Sequence, residues 1–396
     1  MKLKKYYASA LTLAIGSSVA HAQSSVTLYG IVDSGFLYNS NVKGGQLYGL
    51  SSGNSSRWGL LGAEDLGGGL KAIFDVENGF TLGSGAFSQG GLLFGRKAFV
   101  GLSNSTWGTV TAGRQYTASN DATSSFASGN DWAASGLSYG TRAADVDNVD
   151  TSNRIQNSVK YTSPRIGGIT LGVLYGFGNV AGNFGQNSVK DVSLAYAYGS
   201  LKLGASYMFT KNPYYATYGN QGNSSTSTSG TNNNMPSPIF GGYASAGSQQ
   251  IVTAGGAYGL GPVTVAVLYS NTQFQNLGSV AAGGSYGTAY NGGTATFNSG
   301  ELNLKYAMTP SLTLAGAYIY THNSGAGKYD SAHYNQLNLG AIYSLSKRTS
   351  LYANAFYEAA SGTDSTGKAA VANFIGSTYS STSHAVAAIV GITHRF

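Results

Sequence analysis

The chain has 396 residues, a formal net charge of +7, only 9% charged residues and no cysteine. Because ordinary globular domains carry about 25% charged residues, this composition favours a protein with little charged surface facing water. Without cysteine there are neither disulfides nor thiolate metal sites, and no clustered basic face indicates a nucleic-acid partner.

Residues 1–22 have the pattern of an export signal. MKLKKYY is positively charged, ASALTLAIG is apolar, and the small-x-small tripeptide at 20–22 fits a cleavage site. The apolar segment is too short to cross a bilayer as a helix. We predict that cleavage leaves a mature chain beginning at Gln23, and that the loss of three lysines lowers the formal charge from +7 to +4.

The mature chain, residues 23–396, is predicted to form a single domain of short strands. In VTLYGIV, Val26, Leu28, Gly30 and Val32 share one face. The segments ITLGVLY, LKLGASYMF, VTVAVLY, ELNLKYAM, LTLAGAYIY, QLNLGAIY and LYANAFYE repeat this alternation, and most of their apolar rows end at an aromatic residue. Period-two alternation indicates strands. Apolar rows with aromatic ends are typical of outer-membrane barrels.

The connections between these strands alternate in length. Short ones fall at 67–69, 103–108, 164–168, 198–200, 259–262, 308–311 and 344–350, and long ones near 39–54, 79–91, 117–153, 176–188, 210–248, 271–299, 321–333 and 359–383. Short periplasmic turns and long external loops are the known asymmetry of transmembrane barrels. Seven short and eight long connections predict an all-β fold, a sixteen-stranded antiparallel transmembrane β-barrel with both chain ends on the short-turn side.

The end of the chain, VGITHRF, also alternates and finishes on Phe396. Open sheet edges leave backbone groups unpaired in hydrocarbon, and only closure removes both edges. We therefore expect the last strand to pair with the first. Phe396 would then face lipid in the periplasmic aromatic girdle.

Four segments carry a resemblance to a known family: SSVTLYGIVDSGF, SSRWGLLGAEDLGGGLKAIFDVENGF, FGRKAFVGLS with TVTAGRQY, and the terminal VGITHRF. From residue 24 to 396 the chain resembles the trimeric general porins of Gram-negative bacteria, above all the β-proteobacterial branch. His394 stands where the family often has tyrosine, as it does in that branch.

This resemblance implies a homotrimer in the cell outer membrane, whose third long loop folds inward and narrows the channel. It also implies that the barrel-assembly machinery reads Phe396. Outer-membrane lipid and lipopolysaccharide would surround the barrel, and small hydrophilic solutes and ions would pass through it.

Sixteen strands enclose an aqueous lumen, so charges on the inner face can stay solvated. By parity, Arg57 opposes Trp58 and Leu60 and should point inward. The same rule places a further set of charged residues on the pore lining: Asp33, Asp75, Glu77, Arg154 and Lys160.

Two arginines are ambiguous by parity. Arg96 shares the parity of apolar neighbours, so alternation alone would send Lys97 inward, whereas the resemblance favours Arg96 inside and Phe99 outside. Arg114 has the same ambiguity, and Gly113 could mark a bulge that resets the alternation.

The third long loop carries five aspartates, Asp121, Asp131, Asp145, Asp147 and Asp150, and one arginine, Arg142. Our hypothesis is a constriction with Arg57, Arg96 and Arg154 as its basic wall, Arg114 as a further candidate, and Asp121 and Asp131 as its acidic side. Charges separated by less than the Debye length of about 8 Å are poorly screened and would orient dipolar solutes. The alternative is that each arginine pairs with a loop carboxylate or extends to the rim.

We expect no enzymatic activity, cofactor or metal. GLSSG (49–53) and GLSYG (136–140) match G-x-S-x-G, but that motif requires a strand-turn-helix. DVDNVD (145–150) begins like a calcium loop and lacks the glycine and glutamate of an EF-hand.

The function predicted from sequence is therefore passive diffusion of small hydrophilic solutes and ions. Two alternatives stay open at this stage. One is a substrate-selective channel, and the other is a barrel that acts mainly in adhesion through its loops, such as the stretch 210–248.

Overall fold

The structure, a computed structural model, describes residues 25–134, 139–217, 235, 237–280, 290–326, 331–375 and 377–396. The predicted signal segment lies outside these residues. Within them, seventeen strand segments form one closed antiparallel sheet. The strands are β1 Ser25–Val42, β2 Gly45–Ser51, β3 Arg57–Gly67, β4 Leu70–Gly79, β5 Lys97–Asn104, β6 Gly108–Gln115, β7 Ile155–Thr162, β8 Ile169–Gly176, β9 Val189–Tyr198, β10 Leu201–Lys211, β11 Ser248–Leu260, β12 Val263–Gln275, β13 Thr294–Ala307, β14 Leu312–Asn323, β15 Ala332–Ser344, β16 Thr349–Gly362 and β17 His384–Arg395.

The barrel has sixteen strand positions, as predicted, because β2 and β3 share one of them. β1 pairs with β3 through residues 25–31 and with β2 through residues 35–42. Each later strand pairs with its successor, and β17 returns to β1 in a register that joins Ile31 to Arg395 and Asn39 to Ala387. No helix in the described ranges is long and apolar enough to cross a bilayer.

Alternation decides which face meets lipid. Val100 and Val390 are 61% and 62% exposed on the outer face, while Asp33 and Thr393, of the opposite parity, are buried on the inner face. Tyrosines close the outer apolar rows at both ends of many strands, as in β12 and β13 with Tyr269 and Tyr306. Since burying apolar area in hydrocarbon is the main driving force here, this outer face fits a bilayer.

The break between β2 and β3, at residues 52–56, is held by Asp33. The amide of Gly53 donates to Asp33 Oδ1 at 2.5 Å, and Asn54 Nδ2 donates to Oδ2 at 3.1 Å. The amide of Asp33 donates in turn to Ser56 Oγ at 3.0 Å. Side chains therefore satisfy the backbone groups that the interrupted ladder leaves without a strand partner.

Most long connections lie where the alternation placed them, with one correction. The stretch 39–54 was predicted as a loop, but β1 continues to Val42, turns at Lys43 and Gly44, and returns as β2. Both turn residues have positive φ, which permits this tight reversal. Short helices occur in the long loops: α1 Ala118–Thr123, α2 Ser128–Asp131 and α3 Pro213–Ala216, with single 3₁₀ turns at Gln89–Gly91, Ser124–Phe126, Ala143–Asp145 and Gly241–Tyr243.

The end of the chain is held by the first strand, which confirms the predicted closure. The Gly30 amide donates to the Phe396 carbonyl at 3.1 Å, and the Phe396 amide donates back to Gly30 at 3.1 Å. A Cβ added to Gly30 would lie 2.5 Å from Cζ of the Phe396 ring. The ring therefore lies over Gly30 on the outer face, where it is 41% exposed.

This contact predicts an assembly defect in Gly30→Leu. The new side chain would occupy the volume of the Phe396 ring, so the last strand would dock less well on β1. We expect a smaller folded, heat-modifiable fraction on unboiled SDS gels. Gly300→Leu is the matched control, because Gly300 also lies on the outer face and a Cβ there meets nothing within 4 Å. Equal folded fractions of the two variants would contradict the role of this contact.

Candidate pore constriction

The third long loop, residues 117–153 and here called L3, folds into the barrel as the resemblance implied. It begins with α1, whose N-cap Thr117 accepts a hydrogen bond from the Asn120 amide at 3.0 Å. Contacts with the inner wall then follow the loop: the Ser119 amide donates to Asp191 of β9 at 3.0 Å, and Trp132 Nε1 donates to Asn303 of β13 at 2.8 Å. L3 therefore crosses the lumen against the β9–β13 side.

Glycines on the inner wall make room for L3. A Cβ at Gly204 would overlap the Ala122 carbonyl oxygen, and one at Gly340 would lie 2.6 Å from the Trp132 ring. Both separations are far below van der Waals contact, so a side chain at either position would displace the loop. The path of L3 is therefore set by close packing on the wall.

The return segment of L3 is anchored by the buried Arg142. Its guanidinium contacts Asp147 at 2.6 Å and Glu301 of β13 at 2.8 Å, and all three side chains are at most 1% exposed. Glu301 also accepts from the Ser128 amide at 2.6 Å. The carboxylate of Glu301 thus binds L3 at two points, at Ser128 and at Arg142.

Aromatic side chains fill much of the lumen beside β11–β17. Tyr243, from the loop that follows β10, lies 5.8 Å from Phe274 of β12 between ring centroids, and its hydroxyl accepts from Asn323 of β14 at 2.7 Å. Tyr139 of L3 packs likewise against Phe356 of β16 and Phe374. This packing covers much of the inner wall on the β11–β17 side, opposite the β3–β7 side.

A cavity of about 360 Å³ lies on the β3–β7 side, between the wall and L3. Its lining residues are Arg57, Glu77, Arg96, Lys97, Tyr116, Asn120, Asp121, Ser124, Asn130 and Thr151. Arg57 lies close enough to Arg96 and Arg154 for their charges to repel, and Arg114 lies likewise near Arg154. The structure thus brings the four predicted arginines together.

Tyr116 links two of these arginines and was not found from the sequence. Its hydroxyl accepts from Nη2 of Arg96 and from Nη2 of Arg154, each at 2.8 Å. The Arg154 guanidinium also lies 4.8 Å from the centre of the Tyr116 ring. Tyr116 directly follows β6, so the alternation of the strand did not predict which way its side chain points. The one sequence signal for its role is that it lies two residues after Arg114 in GRQY.

Irregular strand positions explain the ambiguous parity of Arg96 and Arg114. The Arg96 amide donates to the Glu77 carbonyl, and Lys97 is the residue in register with Glu77. Arg96 and Lys97 therefore both lie opposite Glu77, as the two residues of a β-bulge do. Both side chains therefore reach the lumen. At Arg114 the β6–β7 register shifts between Gly113 and Gln115, which is the bulge that Gly113 suggested.

The expectation that Phe99 faces outward was wrong. Phe99 is in register with Asp75, and Asp75 accepts from Lys97 Nζ at 2.9 Å on the inner face. Directly opposed residues share a face, so the simple alternation was correct here and the resemblance was not.

The carboxylates near the cavity are paired with the basic wall. Glu77 contacts Arg96 at 2.5 Å, and Asp75 contacts Lys97 at 2.9 Å. Tyr29, also missed by the sequence argument, donates to Asp75 at 2.7 Å. From L3, Asp121 reaches Lys160 of β7 at 2.7 Å and keeps half of its side chain exposed.

Other predicted acidic residues lie elsewhere. Asp131 contacts Lys305 of β13 at 2.5 Å and borders a different cavity, so its place opposite the arginines is corrected. Asp33 is 1% exposed at the strand break, where its carboxylate accepts from several donors and borders a cavity of about 220 Å³ that Arg96 and Tyr139 also line.

The remaining L3 aspartates, Asp145, Asp147 and Asp150, are buried around Arg142. Within 145–150 the Arg142 guanidinium contacts Asp147, while Asp145 and Asp150 accept from backbone amides. No group of three or more metal-ligating side chains occurs in the part of the chain the structure describes. GLSSG spans the end of β2 and the strand break, which is not a strand-turn-helix, and most of GLSYG lies outside the described residues.

Comparison with known proteins agrees with this geometry. The family profile described as Gram-negative porin matches residues 8–363. The chain is 31% identical over 385 residues to an outer membrane porin protein of Bordetella pertussis, covering 90% of this chain and 94% of that one.

The chain belongs to the Gram-negative porin family. It is an outer-membrane channel for the passive diffusion of small hydrophilic solutes.

Solved porins share its fold. The anion-selective porin from Comamonas acidovorans superposes with a TM-score of 0.69 at 24% identity, covering 94% of this porin and all of that chain. The trimer form of OmpT from Vibrio cholerae gives 0.63 at 16% identity, covering 94% and 99%. At such identities the likeness concerns the barrel architecture alone.

The buried aspartates near Arg142 predict that L3 packs less stably against the barrel wall as pH rises. Burial and the neighbouring Asp147 raise the pKa of Asp145 to about 7, and burial raises the pKa of Asp150 well above its usual range. A carboxyl whose folded pKa is raised favours the folded loop below its unfolded pKa of about 4, and this contribution is lost as pH rises through the folded pKa. Protease cleavage of L3 should therefore be slower at pH 5 than at pH 8.

The control for this pH effect is in the same loop. Asp145→Asn should reduce the difference between pH 5 and pH 8, because position 145 can then no longer lose a proton and the contribution of Asp150 alone remains. Asp121→Asn should leave it unchanged, since the Asp121 side chain is half exposed. The charged groups around Asp145 and Asp150 are Arg142, Asp147 and Glu301. A pH dependence that survives in Asp145→Asn and disappears in Asp121→Asn would contradict the assignment.

Proposed function

We propose that Arg57, Arg96 and Arg154, backed by Arg114, form the basic wall of the constriction and make this porin favour anions. The observation that carries the proposal is the charge around the cavity. Six basic side chains, Arg57, Arg96, Lys97, Arg114, Arg154 and Lys160, surround it or lie beside it, against the three carboxylates of Asp75, Glu77 and Asp121.

The burial of the L3 aspartates supports the same conclusion. If Asp145, Asp147 and Asp150 faced the channel, L3 would balance the wall. They contact Arg142 and backbone amides instead, so Asp121 is the L3 carboxylate that remains at the cavity. Rings of one sign of charge tune the selectivity of a pore.

The expectation that opposed charges orient dipolar solutes is part of the proposal, with Asp121 as the L3 carboxylate and without Asp131. Asp121 and Ser124 of L3 line the same cavity as Arg57 and Arg96, so a dipolar solute there would turn its negative end toward the arginines. Charged groups separated by a few ångströms are poorly screened at physiological salt. Tyr116 fixes Arg96 and Arg154 in this orientation.

Replacing the wall arginines tests the proposal. In Arg57→Gln/Arg96→Gln/Arg154→Gln, three basic side chains remain against three carboxylates, so the anion preference should disappear. The reversal potential in a planar bilayer under a salt gradient should move toward zero or to the cation side. Arg165→Gln, in the exposed turn between β7 and β8, is the control and should keep the original potential. An unchanged potential in the triple variant would remove the assignment.

We also propose that the porin is a homotrimer whose subunits meet through β3–β6. The sequences of these strands contain no tyrosine, whereas the outer faces of β8–β16 carry tyrosines at one or both ends, as at Tyr175, Tyr207, Tyr258, Tyr306, Tyr318, Tyr343 and Tyr357. Interfacial tyrosines mark lipid-facing surface, so the lack of tyrosine on β3–β6, whose aromatic residues are Trp58, Phe74 and Phe99, supports a protein-facing surface. The OmpT structure is titled a trimer form.

Single cysteines test this surface, since the chain has none of its own. A bimane label at Val100→Cys, on the outer face of β5, should be shielded from brominated lipid, while a label at Val267→Cys, on the outer face of β12, should be quenched. Both residues are more than half exposed in the isolated barrel. Equal quenching at the two positions would contradict the proposed interface.

A further inference from the structure

Two of the five histidines of the chain lie side by side on the outer face of the barrel. His322 is near the end of β14 and His333 near the start of β15, and the strand register places them directly opposite each other. Their neighbours Thr321 and Tyr334 are buried on the inner face, so both imidazoles point outward. Directly opposed residues have Cβ atoms about 5 Å apart, and the two rings therefore meet.

The two imidazoles form a stacked pair. Their ring centroids are 4.6 Å apart, with an angle of 16° between the ring planes. Within the sheet, Asn298 of β13 is in register with His322, and Ser361 of β16 is in register with His333. The pair is therefore flanked on both sides by side chains that carry oxygen.

A tyrosine orients one of the two rings. The Tyr320 hydroxyl lies 2.7 Å from Nδ1 of His333, and the two ring centroids are 6.0 Å apart. Since this hydrogen bond occupies Nδ1, Nε2 is the nitrogen of His333 that is left for another partner. Metal-bound histidines commonly have their second ring nitrogen engaged in this way, which fixes the tautomer and the direction of the ring.

The pair lies at the external end of the barrel. Tyr318 and Tyr320 end the outward apolar row of β14, and His322 follows two residues later, before the connection 324–331. Aromatic girdles mark the interface between membrane and water, and both histidines are partly exposed. Ions from the external solution can therefore reach the ring nitrogens.

The chemistry of the pair selects a class of ion. Imidazole nitrogen suits Zn²⁺ and Cu²⁺, whereas Ca²⁺ and Mg²⁺ take oxygen ligands. Two nitrogens bound to one Zn²⁺ at about 2.0–2.1 Å lie roughly 3 Å apart. Starting from the centroid separation of 4.6 Å, the free edges of the rings need to converge by about 1.5 Å to reach that spacing. Small rotations of the two partly exposed side chains are sufficient for this.

We propose that His322 and His333 form a binding site for one divalent transition-metal ion, Zn²⁺ or Cu²⁺, at the external rim. Nε2 of His333, oriented by Tyr320, and a ring nitrogen of His322 are the two protein ligands, and water completes the coordination. The bound ion joins the ends of β14 and β15 across the connection 324–331. The site is on the outer side of the wall, so it is independent of the proposed anion preference of the lumen.

Calorimetric titration of the untagged porin with ZnCl₂ tests the proposal, and the electron paramagnetic resonance spectrum of the Cu²⁺ form identifies the ligands. One ion should bind per subunit, the Cu²⁺ spectrum should show coupling to two nitrogens, and MgCl₂ should give no binding. Tyr320→Phe should lower the Zn²⁺ affinity by about ten-fold with both nitrogens retained. His322→Asn and His333→Asn should each lower it further and leave coupling to one nitrogen.

The matched control is His384→Asn/His394→Asn, which removes the two other histidines among the described residues and should bind Zn²⁺ like the unmodified porin. Heat-modifiable mobility on unboiled SDS gels shows whether each variant folds. If the histidine variants do not fold, the Cu²⁺ spectrum of the unmodified porin decides by itself.

Three results would overturn the proposal: no Zn²⁺ binding by the unmodified porin, fewer than two nitrogens in its Cu²⁺ spectrum, or the same loss of affinity in the control as in the variants of the pair. The reversal potential under a salt gradient should be the same in all these variants. A failure of the metal site is thereby distinct from a failure of the proposed selectivity.

Discussion

The hydrogen bonds between β17 and β1 are the constraint on which the rest of the molecule depends. In hydrocarbon an unpaired backbone group has no water to bind, so a spanning sheet must close. Closure requires that the chain end be paired to its last residue, and the reciprocal bonds between Gly30 and Phe396 do this. Once the sheet is closed, every outward position is committed to lipid or a partner and every inward position to the lumen.

The lumen is then divided by packing. L3 and the aromatic residues around Tyr243 cover the inner wall on the β9–β17 side, and the arginines lie on the uncovered side. The buried Arg142 and the arginines of the wall differ in their surroundings and in their roles. Arg142 is surrounded by carboxylates and holds the loop, whereas Arg57, Arg96 and Arg154 retain an excess of positive charge beside open space. The path of the channel and the electric field in it thus depend on which L3 aspartates are paired within the loop. Asp145, Asp147 and Asp150 are paired there, and Asp121 remains at the cavity.

Alternation predicted the strands, the closure and the direction of Arg57, because a two-residue period is a local property of an extended chain. It failed where strands are irregular, at Arg96 with Lys97 and at the start of β7, where Ile155 next to Arg154 is buried and Asn157 has a positive φ. It also could not place the L3 aspartates, since their burial depends on Glu301, 159 residues from Arg142 in the chain. Tyr116 was missed because it lies just outside a strand. Long-range packing, rather than periodicity, decides these positions.

The interruption between β2 and β3 has a consequence for where this barrel can sit. At residues 52–56 the wall is closed by hydroxyls, an amide and the carboxylate of Asp33 rather than by a strand ladder. Because Asp33 lies on the inner face, these bonds close the gap from the lumen side. The interruption adjoins β3, at the border of the surface proposed to meet neighbouring subunits, so a neighbouring subunit would cover the outer side of a stretch of wall that has no strand ladder.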